Sequence, residues 1–545
     1  MTNAKISSLP AAEKGKEITI SAVERRANDD SRNPWTSVPV NGQDLSQGYK
    51  DISFRQLNNY TNHAAHWLSE NLPPELRVIP KLCLCGSQGL ALSNPGFGCS
   101  ETAESGMHVI IVLPSPLITP EAQTRILNAK NCGLYLRTAA MAEPIAAVLK
   151  EAPHIQAITV PDLSVFVNED PAPTYTYSKS WEEAKDDPWV VFHTSGTTGY
   201  PKPLTYTQYM MAMPGVVASI PDMKESRVGQ YSNKRLYTPL PSLHLVGMMF
   251  ILGLTTFNDT IIVVGPSAPP TPQTVLDVIK YGKVNSALLT PALIEEICLS
   301  QTGLDTLRSL ARVQYAGAPL AAKAGNLLAP HTNVTPTIGS TEAGGYITKI
   351  HGKKDAWDYI SFHELAGAVF EPRFDDLHEL VFVRQPDDRI QSIFKLYTDR
   401  DRYPTNDLWT EHPVYKGLWK IIGRADDHVS FSHGRGLHAS RLEPEIESHP
   451  AVKSALIGGH GYSAPVLLLE LYTGTVDESS WASFLAALQS HIDKVNAQVH
   501  QCVTLSADRI IIATEDKPFV RTVKGSVGRV QTLAAYKDEI AALFA

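Results

Sequence analysis

The chain has 545 residues, of which 43% are hydrophobic and 19% are charged, proportions that indicate a globular protein of several domains and exclude a disordered one. Its 48 lysines and arginines against 56 aspartates and glutamates give a formal net charge of −8, which argues against nucleic acid or an anionic membrane as the main partner. No apolar run is long enough to span a bilayer, the N-terminus has no signal-peptide pattern and the six cysteines form no disulfide or zinc framework, so a cytoplasmic location is predicted.

Short apolar runs recur through the first part of the chain and predict buried strands. These runs lie at 108–114, 189–192, 260–265 and 286–289. Between the last two, the segment 274–281 places Val275, Leu276 and Ile279 on one helical face. Buried strands that alternate with amphipathic helices are typical of an α/β architecture.

Further along, the strands become shorter and lie among charged, turn-rich segments, which predicts a small β subdomain over about 370–422. The polar stretch 423–428 (GRADDH) follows an apolar strand and is a candidate hinge. A small α+β domain is expected over 429–545, because its strands flank an amphipathic helix at 480–495. The predicted fold class is therefore α/β and α+β multidomain, with a large N-terminal domain over 1–422, a hinge and a small C-terminal domain.

One loop carries the clearest chemical signal. The strand at 189–192 runs directly into a turn of hydroxyl residues and two glycines, followed by Pro201 and Lys202. The glycines let the backbone bring its N–H groups close to a polyanion, the hydroxyls add donors and the lysine adds a cation, which suits a triphosphate. It is not the Walker loop, since no GK[ST] is present. The flanking strand and the PKP segment disfavour an ordinary surface turn. The turn residues are Thr194, Ser195, Gly196, Thr197, Thr198 and Gly199.

The whole segment 189–204 resembles the phosphate loop of the adenylate-forming superfamily, which comprises acyl-CoA synthetases, luciferases and the adenylation domains of nonribosomal peptide synthetases. Further segments resemble that family's motifs and follow in the family's order across about 340 residues. They are PSLHLVG (241–247), AGAPL (316–320), GSTEA (339–343), TNDLW (405–409), GR (423–424) and VKGSVGR (523–529). Matches in this order exclude coincidence.

The resemblance implies a role for each motif residue. It makes Lys524 the mobile catalytic lysine, Glu342 the Mg²⁺ ligand and Thr341 a phosphate contact. His244 is implied as a catalytic residue beside the acyl group, and Asp407 as the ligand of the ribose hydroxyls. The other implied nucleotide-binding residues, beyond the turn 194–199, are Lys202, Ala316, Gly317, Ala318, Ile338, Gly339, Ser340, Ile422 and Arg424. The implied acid pocket comprises His244, Leu245, Gly317, Gly339, Gly344, Gly345 and Tyr346.

These roles imply one reaction. Mg²⁺ on Glu342, the hydroxyl-rich turn and Lys524 would offset the repulsion between a carboxylate and ATP and stabilise charge on the α-phosphate. The carboxylate would displace pyrophosphate and form an acyl-AMP, ready for attack by a phosphopantetheine thiol. In the family the C-terminal domain then turns about a hinge, for which Asp426 is the implied pivot.

The acid is expected not to be an ordinary α-amino acid. Adenylation domains for amino acids usually carry an aspartate at the position where this chain has Leu245, and a leucine cannot pair a buried ammonium. The segments 193–204, 377–384, 423–443 and 518–544 are similar to fungal nonribosomal peptide synthetase-like enzymes, some of which are carboxylic acid reductases. Many of these activate aryl acids. We therefore expect an aryl acid as substrate and a downstream carrier domain as partner, with a small quaternary ammonium acid as the alternative.

Two other interpretations stay open. A stand-alone aryl- or acyl-CoA ligase shares the first half-reaction and uses free coenzyme A. A non-catalytic adenylate-binding protein is the second, and the presence of the charged motif residues argues against it. Those residues are Lys202, Glu342, Asp407, Arg424 and Lys524.

The chain departs from the family pattern at three places. Ile338 stands where the family commonly has an aromatic residue that stacks on adenine, so adenine binding is expected to differ. The segment 87–106 does not resemble the usual helical stretch of its region. Residues 439–441 stand where relatives often carry a proline-containing segment near the path of the thiol, which bears on carrier docking.

Overall fold

The computed structural model describes residues 14–29, 33–73, 81–85, 110–115, 118–194, 201–220, 223, 226, 228–374, 376–433, 435–476, 480–521 and 527–544. The chain divides into two compact units. The first unit contains Met1–Gly367 and Val383–Asp401, and the second unit contains Ala368–Phe382 and Arg402–Ala545. The division at 423–428 made from the sequence stays a prediction.

A mostly parallel sheet in the first unit contains the two strands that flank the hydroxyl-rich segment. Its described strands lie in the spatial order Gln156–Thr159, Leu134–Arg137, Lys81–Cys85, Ile110–Val112, Pro188–Thr194 and Lys202–Thr207. Only the last pairing among these strands is antiparallel. The inner strands are apolar runs because parallel strands are covered on both faces.

A second sheet in the same unit carries the loops that contain Ala316–Ala318 and Ile338. Its described strands lie in the order Asn333–Pro336, Arg312–Tyr315, Ser286–Leu289, Arg235–Tyr237, Ile261–Val263, Thr36–Pro39 and Tyr49–Ile52. They are parallel except for the last pair. Val190 of the first sheet and Leu236, Ile262 and Leu288 of the second are buried in one shared hydrophobic core. Smaller antiparallel pairs are Gly339–Ser340 with Gly344–Gly345 and Thr348–Lys349 with Ser361–Phe362.

Helices connect these strands, and local capping fixes several of their starts. Ser53 and Gln56 form a capping box, and Thr271 caps a helix that has Pro272 at its first position. The described α-helices are Thr19–Asn28, Phe54–Asn71, Pro120–Ala129, Ala146–Glu151, Trp181–Ala184, Gln208–Met211, Met213–Ala218, Leu245–Met248, Thr255–Asn258, Pro272–Tyr281, Pro291–Ile297, Gln301–Ser309, Ala322–Leu328 and Ser392–Leu396. A π-helical turn, Met249–Leu254, joins two of them.

The second unit begins with an antiparallel sheet and continues as an α+β body. The sheet strands are Ala368–Phe374, Leu377–Val383, Arg402–Glu411 and Trp419–Arg424. The other strands are the pair His428–Ser430 and Gly436–His438, and the sheet Val452–Gly458, Val466–Leu471 and Ile510–Ile512. The helices are Ala439–Glu447, Trp481–Asn496, Arg529–Ala535 and Lys537–Ala542. Phe484, Leu488 and Ile492 pack on this body, as the amphipathic pattern of the predicted helix at 480–495 indicates. Trp481, in the first turn of the helix, is 38% exposed.

The predicted fold class is confirmed: the first unit contains two mostly parallel sheets with connecting helices, and the second unit contains an antiparallel sheet and an α+β body. The run at 286–289 is a strand over its full length. The predicted helix at 274–281 begins two residues earlier, at Pro272. No helix among the described residues is long and apolar enough to cross a membrane.

Candidate active site

The two ends of the hydroxyl-rich turn are held side by side. Thr194 closes one strand and lies opposite Lys202, which opens its antiparallel partner. The predicted residues Ser195, Gly196, Thr197, Thr198 and Gly199 lie outside the described residues. Lys202 Nζ donates a hydrogen bond of 2.8 Å to the hydroxyl of Tyr397, which the sequence analysis did not single out. The lysine is thus directed by an uncharged partner.

His244 lies at the start of the helix Leu245–Met248 and beside a second histidine. Its ring centroid is 6.4 Å from that of His193, the residue before Thr194. His193 is buried, its Nε2 accepts a hydrogen bond of 3.0 Å from the backbone N–H of Ser115, and burial lowers the pKa of its imidazole. A neutral His193 therefore ties the end of its strand to the segment that follows the neighbouring strand Ile110–Val112. Nothing in the sequence indicates this role except the position of His193 before the turn.

Gly247, at the end of the PSLHLVG segment, lies very close to the backbone at the start of the same segment. A Cβ placed on Gly247 would lie 2.2 Å from the backbone oxygen of Pro241. Any side chain there would push the segment away from the helix start. Glycine thus permits the tight approach that sets the position of His244.

The GSTEA segment is a short hairpin. Gly339 pairs with Gly345, and Ser340 pairs with Gly344. A Cβ on Gly339 would lie 2.4 Å from the carbonyl oxygen of Gly344, so glycine is required for the strands to approach this closely. The helix that follows His244 also contacts the strand Gly344–Gly345. The predicted acid-pocket residues His244, Leu245, Gly339, Gly344, Gly345 and Tyr346 therefore lie in adjoining elements of the first unit.

Thr341 and Glu342 occupy the turn of this hairpin, and a residue of the first sheet binds the backbone of that turn. Tyr206, on the strand that begins at Lys202, donates a hydrogen bond of 2.8 Å to the carbonyl oxygen of Thr341. Burial, and secondarily the negative charge of Glu342, raise the pKa of the Tyr206 hydroxyl. The carboxylate is therefore close to a buried neutral donor, and the strand that carries Lys202 is fixed to the turn that carries Glu342.

The loops that contain the predicted adenine-binding residues lie at the carboxyl edge of the second sheet, where open α/β sheets bind ligands. Ala316, Gly317 and Ala318 follow the strand Arg312–Tyr315, and Ile338 follows the neighbouring strand. Gly317 has φ +97°, a left-handed conformation, and its missing side chain faces open space. The loop thus presents backbone rather than side chains.

Gln314 is a polar residue of this region that the sequence analysis missed. It is fully buried, and neither its amide nitrogen nor its amide oxygen has a hydrogen-bond partner among the described residues. It lies two residues before Ala316, and hence on the same face of the strand. A buried amide without partners is costly, so a ligand or water would be expected to satisfy it.

The second unit holds the remaining described motif residues. Asp407 and Arg424 are partners across two antiparallel strands. Arg424 Nη1 donates to Asp407 Oδ1 at 3.0 Å and to the carbonyl oxygen of Thr405 at 2.9 Å. Glu379, a buried residue not singled out from the sequence, accepts from the backbone N–H of Asn406 at 3.1 Å. The TNDLW segment of the strand Arg402–Glu411 is therefore held by ionic and charge-assisted contacts.

The other residues predicted in this unit are placed as follows. Ile422 lies on the strand Trp419–Arg424. Asp426 lies in a 3₁₀ turn, Ala425–Asp427, and only its backbone is among the described features. Lys524 lies outside the described residues.

Glu342 is the residue that the family resemblance implies would hold a magnesium ion. No cluster of three or more histidine, cysteine, aspartate or glutamate side chains suited to a metal occurs in the described part of the chain. Glu342 fits a Mg²⁺ that takes its remaining ligands from phosphate oxygens and water, which is how this ion is usually bound beside nucleotides.

These features define an enzyme of the adenylate-forming class. Residues 28–361 match the AMP-binding enzyme family, and residues 426–545 match the AMP-binding enzyme C-terminal domain. The chain therefore belongs to the AMP-binding enzyme family, and the family resemblance and enzyme class predicted from the sequence are confirmed.

Two relatives and one solved structure show which members of the family this chain is similar to. The chain is 26% identical over 538 residues to a carboxylic acid reductase of Neurospora crassa, covering 96% of this chain and 50% of that protein. It is 26% identical over 528 residues to the adenylate-forming reductase Nps9 of Serpula lacrymans, covering 91% of this chain and 46% of that protein. ATP-bound MatB from Rhodopseudomonas palustris has the same fold, with a TM-score of 0.70 at 16% identity, over 96% of this chain and 100% of that one. The chain spans about half the length of these two curated relatives.

Proposed function

We propose that this chain is the adenylation domain of a nonribosomal peptide synthetase-like enzyme, acting in the cytoplasm, that activates a non-amino, aryl carboxylic acid as its acyl-AMP. The acyl group then passes to the phosphopantetheine thiol of a carrier domain. One observation carries the proposal: Tyr206, on the strand that begins at Lys202, donates a hydrogen bond to the backbone of the Thr341–Glu342 turn. The reductases named among the relatives support the choice of branch.

The first unit supplies most of the proposed nucleotide and acid site. Lys202 and the turn after Thr194 bind phosphate oxygens, and Thr341 adds a donor. Glu342 would hold Mg²⁺, which when bound offsets phosphate charge and polarises the α-phosphate. Ala316, Gly317, Ala318, Ile338, Gly339 and Ser340 border the adenine.

The second unit supplies the proposed ribose contact and the mobile lysine. Asp407 accepts from the ribose hydroxyls, with Arg424 holding its carboxylate in place. Lys524 donates to the α-phosphate as negative charge builds on it, and this favours loss of pyrophosphate. Asp426 is the proposed pivot between a domain ending at 422 and one beginning at 429.

The proposed acid pocket is neutral and partly polar. Leu245 is buried in the hydrophobic core, so no carboxylate is present at that position to pair an ammonium group. His244 and Gln314 would bond a polar substituent, while Gly317 and Gly345, where a Cβ would meet nothing within 4 Å, leave room for a ring. We therefore expect hydroxylated benzoic acids to support pyrophosphate exchange better than benzoate, aliphatic acids, betaines or amino acids. A preference for amino acids in this panel would contradict the assignment.

The acceptor is tested separately from the acid. Thioester formation is compared with a phosphopantetheinylated carrier domain and with free coenzyme A at equal concentrations. We expect the carrier to be acylated at the higher rate. Faster transfer to coenzyme A would instead favour a stand-alone aryl-CoA ligase, and pyrophosphate exchange without transfer to either thiol would contradict both.

Removal of the late lysine tests the reaction itself. We expect Lys524→Ala to reduce acyl-AMP formation by at least about 100-fold, because charge on the α-phosphate loses its donor. The matched control is Lys494→Ala, which removes an exposed lysine paired with Glu445 in the same unit. Pyrophosphate exchange is measured for both, with circular dichroism to verify folding. Near-normal exchange in Lys524→Ala would show that the role is misassigned.

A further inference from the structure

Lys202 is bound by Tyr397 without being neutralised. Its Nζ donates a hydrogen bond to the Tyr397 hydroxyl and lies 5.1 Å from the centroid of the tyrosine ring. Among the described residues, no carboxylate forms an ion pair with Lys202. A phenol oxygen accepts a hydrogen bond but carries no net charge, so the positive charge of the ammonium stays available to an anion.

Other lysines of the same unit are paired with carboxylates. Lys395 pairs with Asp388 at 2.8 Å. Lys179 pairs with Asp187 at 2.7 Å. A lysine held in this way would have to break a charge-assisted bond before it could bind a phosphate, and such bonds are stronger than those to neutral acceptors. The neutral partner of Lys202 therefore suits a lysine that binds an anionic ligand.

The helix Ser392–Leu396 places Tyr397 beside the strand Lys202–Thr207. This helix contacts the strand, and its residues Ile393 and Phe394 are buried. The backbone N–H of Tyr397 donates to the carbonyl oxygen of Ile393 at 2.9 Å, so the tyrosine directly continues the last turn of the helix. The helix, the strand and the tyrosine all belong to the first unit.

Arg384 fixes the backbone that follows Tyr397. Its Nη2 donates to the carbonyl oxygens of Thr398 at 3.0 Å and of Arg400 at 2.7 Å. Its guanidinium also lies 4.6 Å from the centroid of the buried Phe394 ring. Tyr397 is therefore held by a buried helix on one side and a fastened turn on the other, which gives its hydroxyl a defined position.

We propose that Tyr397 is a positioning residue for Lys202, whose ammonium it orients towards the phosphates of ATP while leaving the charge unopposed. This inference rests on the proposed function, which makes Lys202 a phosphate ligand. An ammonium has three donors, so the bond to Tyr397 leaves two for phosphate oxygens. Because the lysine would bind phosphate in the ground state and the transition state alike, loss of the hydroxyl should weaken ATP binding more than it slows the chemical step.

The decisive variant is Tyr397→Phe, which removes the hydroxyl and keeps the ring that also lies 5.1 Å from the guanidinium of Arg400. We expect KM for ATP in pyrophosphate exchange to rise about 3- to 10-fold, the size of effect that loss of one hydrogen bond produces. The kcat should change by less than about twofold, because the chemical step keeps its donors. A variant that is merely less stable would instead lose kcat through a smaller folded fraction, at unchanged KM.

Tyr209→Phe is the matched control in the same unit. The Tyr209 hydroxyl donates to the carbonyl oxygen of Arg389 at 2.9 Å, and its ring also faces a lysine, with Lys395 Nζ 5.4 Å from the centroid. This variant should keep the wild-type KM for ATP. An equal rise in KM in Tyr209→Phe and Tyr397→Phe would overturn the inference.

A double-variant cycle tests whether Tyr397 acts through Lys202. Lys202→Ala alone should raise KM for ATP by at least about tenfold, because a charged phosphate contact is lost. In the Lys202→Ala background, Tyr397→Phe should add less than about twofold, since the partner of the hydroxyl is already gone. The same rise on both backgrounds would show that the tyrosine acts independently of the lysine and would overturn the inference.

A readout independent of turnover separates this inference from the proposed function. Binding of ATP with Mg²⁺ is measured by titration calorimetry in the absence of a carboxylic acid. The Kd should be about 3- to 10-fold higher in Tyr397→Phe than in Tyr209→Phe. Equal Kd values in the two variants would overturn the inference and leave the proposed function standing. A wild-type protein that binds no ATP would contradict the proposed function and the inference with it.

Discussion

The two units hold their motif residues by different means. In the first, the partners are uncharged: Tyr397 holds Lys202, Tyr206 holds Thr341, and Gly339 lets two backbones meet. In the second, the partners are charged, as in the pairs of Asp407 with Arg424 and of Asp427 with Arg529. The motif residues of the first unit are therefore positioned by close approach of the backbone, and those of the second unit by pairing of opposite charges. The first unit should therefore be sensitive to added volume, and the second to lost charge.

Among the variants that compare the two units, Gly339→Ala in the first unit is expected to have the largest effect on stability and activity together. The new Cβ would meet the carbonyl oxygen of Gly344 at 2.4 Å, and a backbone atom cannot move aside without opening the hairpin. We expect a loss of about 1–3 kcal/mol of stability and at least about 10-fold lower pyrophosphate exchange. Thermal unfolding and exchange kinetics provide the measurements.

The chain offers a close control for this variant. Gly345 is the cross-strand partner of Gly339, and a Cβ there would meet nothing within 4 Å. Gly345→Ala should retain wild-type stability. Equal destabilisation of the two variants would mean that the hairpin glycines are required for flexibility rather than for close approach.

An intermediate effect is expected for Asp407→Asn in the second unit. Arg424 keeps its bond to the Thr405 carbonyl oxygen, so the stability should fall by less than about 1 kcal/mol. KM for ATP should rise by about 10-fold, because a charged acceptor for the ribose hydroxyls is lost. Asp376→Asn, which breaks the exposed pair with Arg441, is the control. An unchanged KM for ATP in Asp407→Asn would argue against ribose binding by this residue.

The smallest effect is a pH dependence of stability in the second unit. Burial lowers the pKa of His438 to about 4, and the groups around it are Asp427, His428, Arg529 and Arg441. The histidine of the unfolded chain has a pKa near 6.5, so below that pH the unfolded state binds a proton that the folded state does not bind. The free energy of unfolding therefore decreases as the pH drops from about 6.5 towards 4. His438→Asn should flatten this fall.

The matched control for the pH experiment is an exposed histidine of the same unit. His500 begins a 3₁₀ turn, where its Nδ1 accepts from the backbone N–H of Cys502, and asparagine can make the same kind of cap. Unfolding midpoints are compared from about pH 7 to about pH 4.5. If His500→Asn and His438→Asn had the same pH slope as the wild type, His438 would not be the source of the dependence.

The sequence predicted the elements that repeat a strong local pattern and missed those that depend on a distant partner. The run at 286–289 is a strand over its full length because both of its faces are covered, which leaves an uninterrupted apolar signal. The hairpin formed by Gly339–Ser340 and Gly344–Gly345 was not predicted, because two-residue strands of small residues have no periodicity. Trp481 has the spacing of the apolar face of its helix but is exposed, because it lies in the first turn, where the helix extends past the core.

The same division applies to the candidate site. Motif residues such as Glu342 and Asp407 were found because a family resemblance marks them directly. The residues that hold them, among them Tyr206, Tyr397 and Glu379, lie far away in sequence and carry no motif. Their roles depend on tertiary contacts, so a single sequence cannot indicate them.

The pairing of Thr194 with Lys202 fixes the register of two strands and, with it, the anchor of a distant turn. Lys202, Leu204 and Tyr206 share one face of their strand, and the last two are buried. A slip of this strand by one residue against Pro188–Thr194 would turn that face over, which would expose Leu204 and direct Tyr206 away from Thr341. The same register therefore places Lys202 and holds the carbonyl oxygen of Thr341.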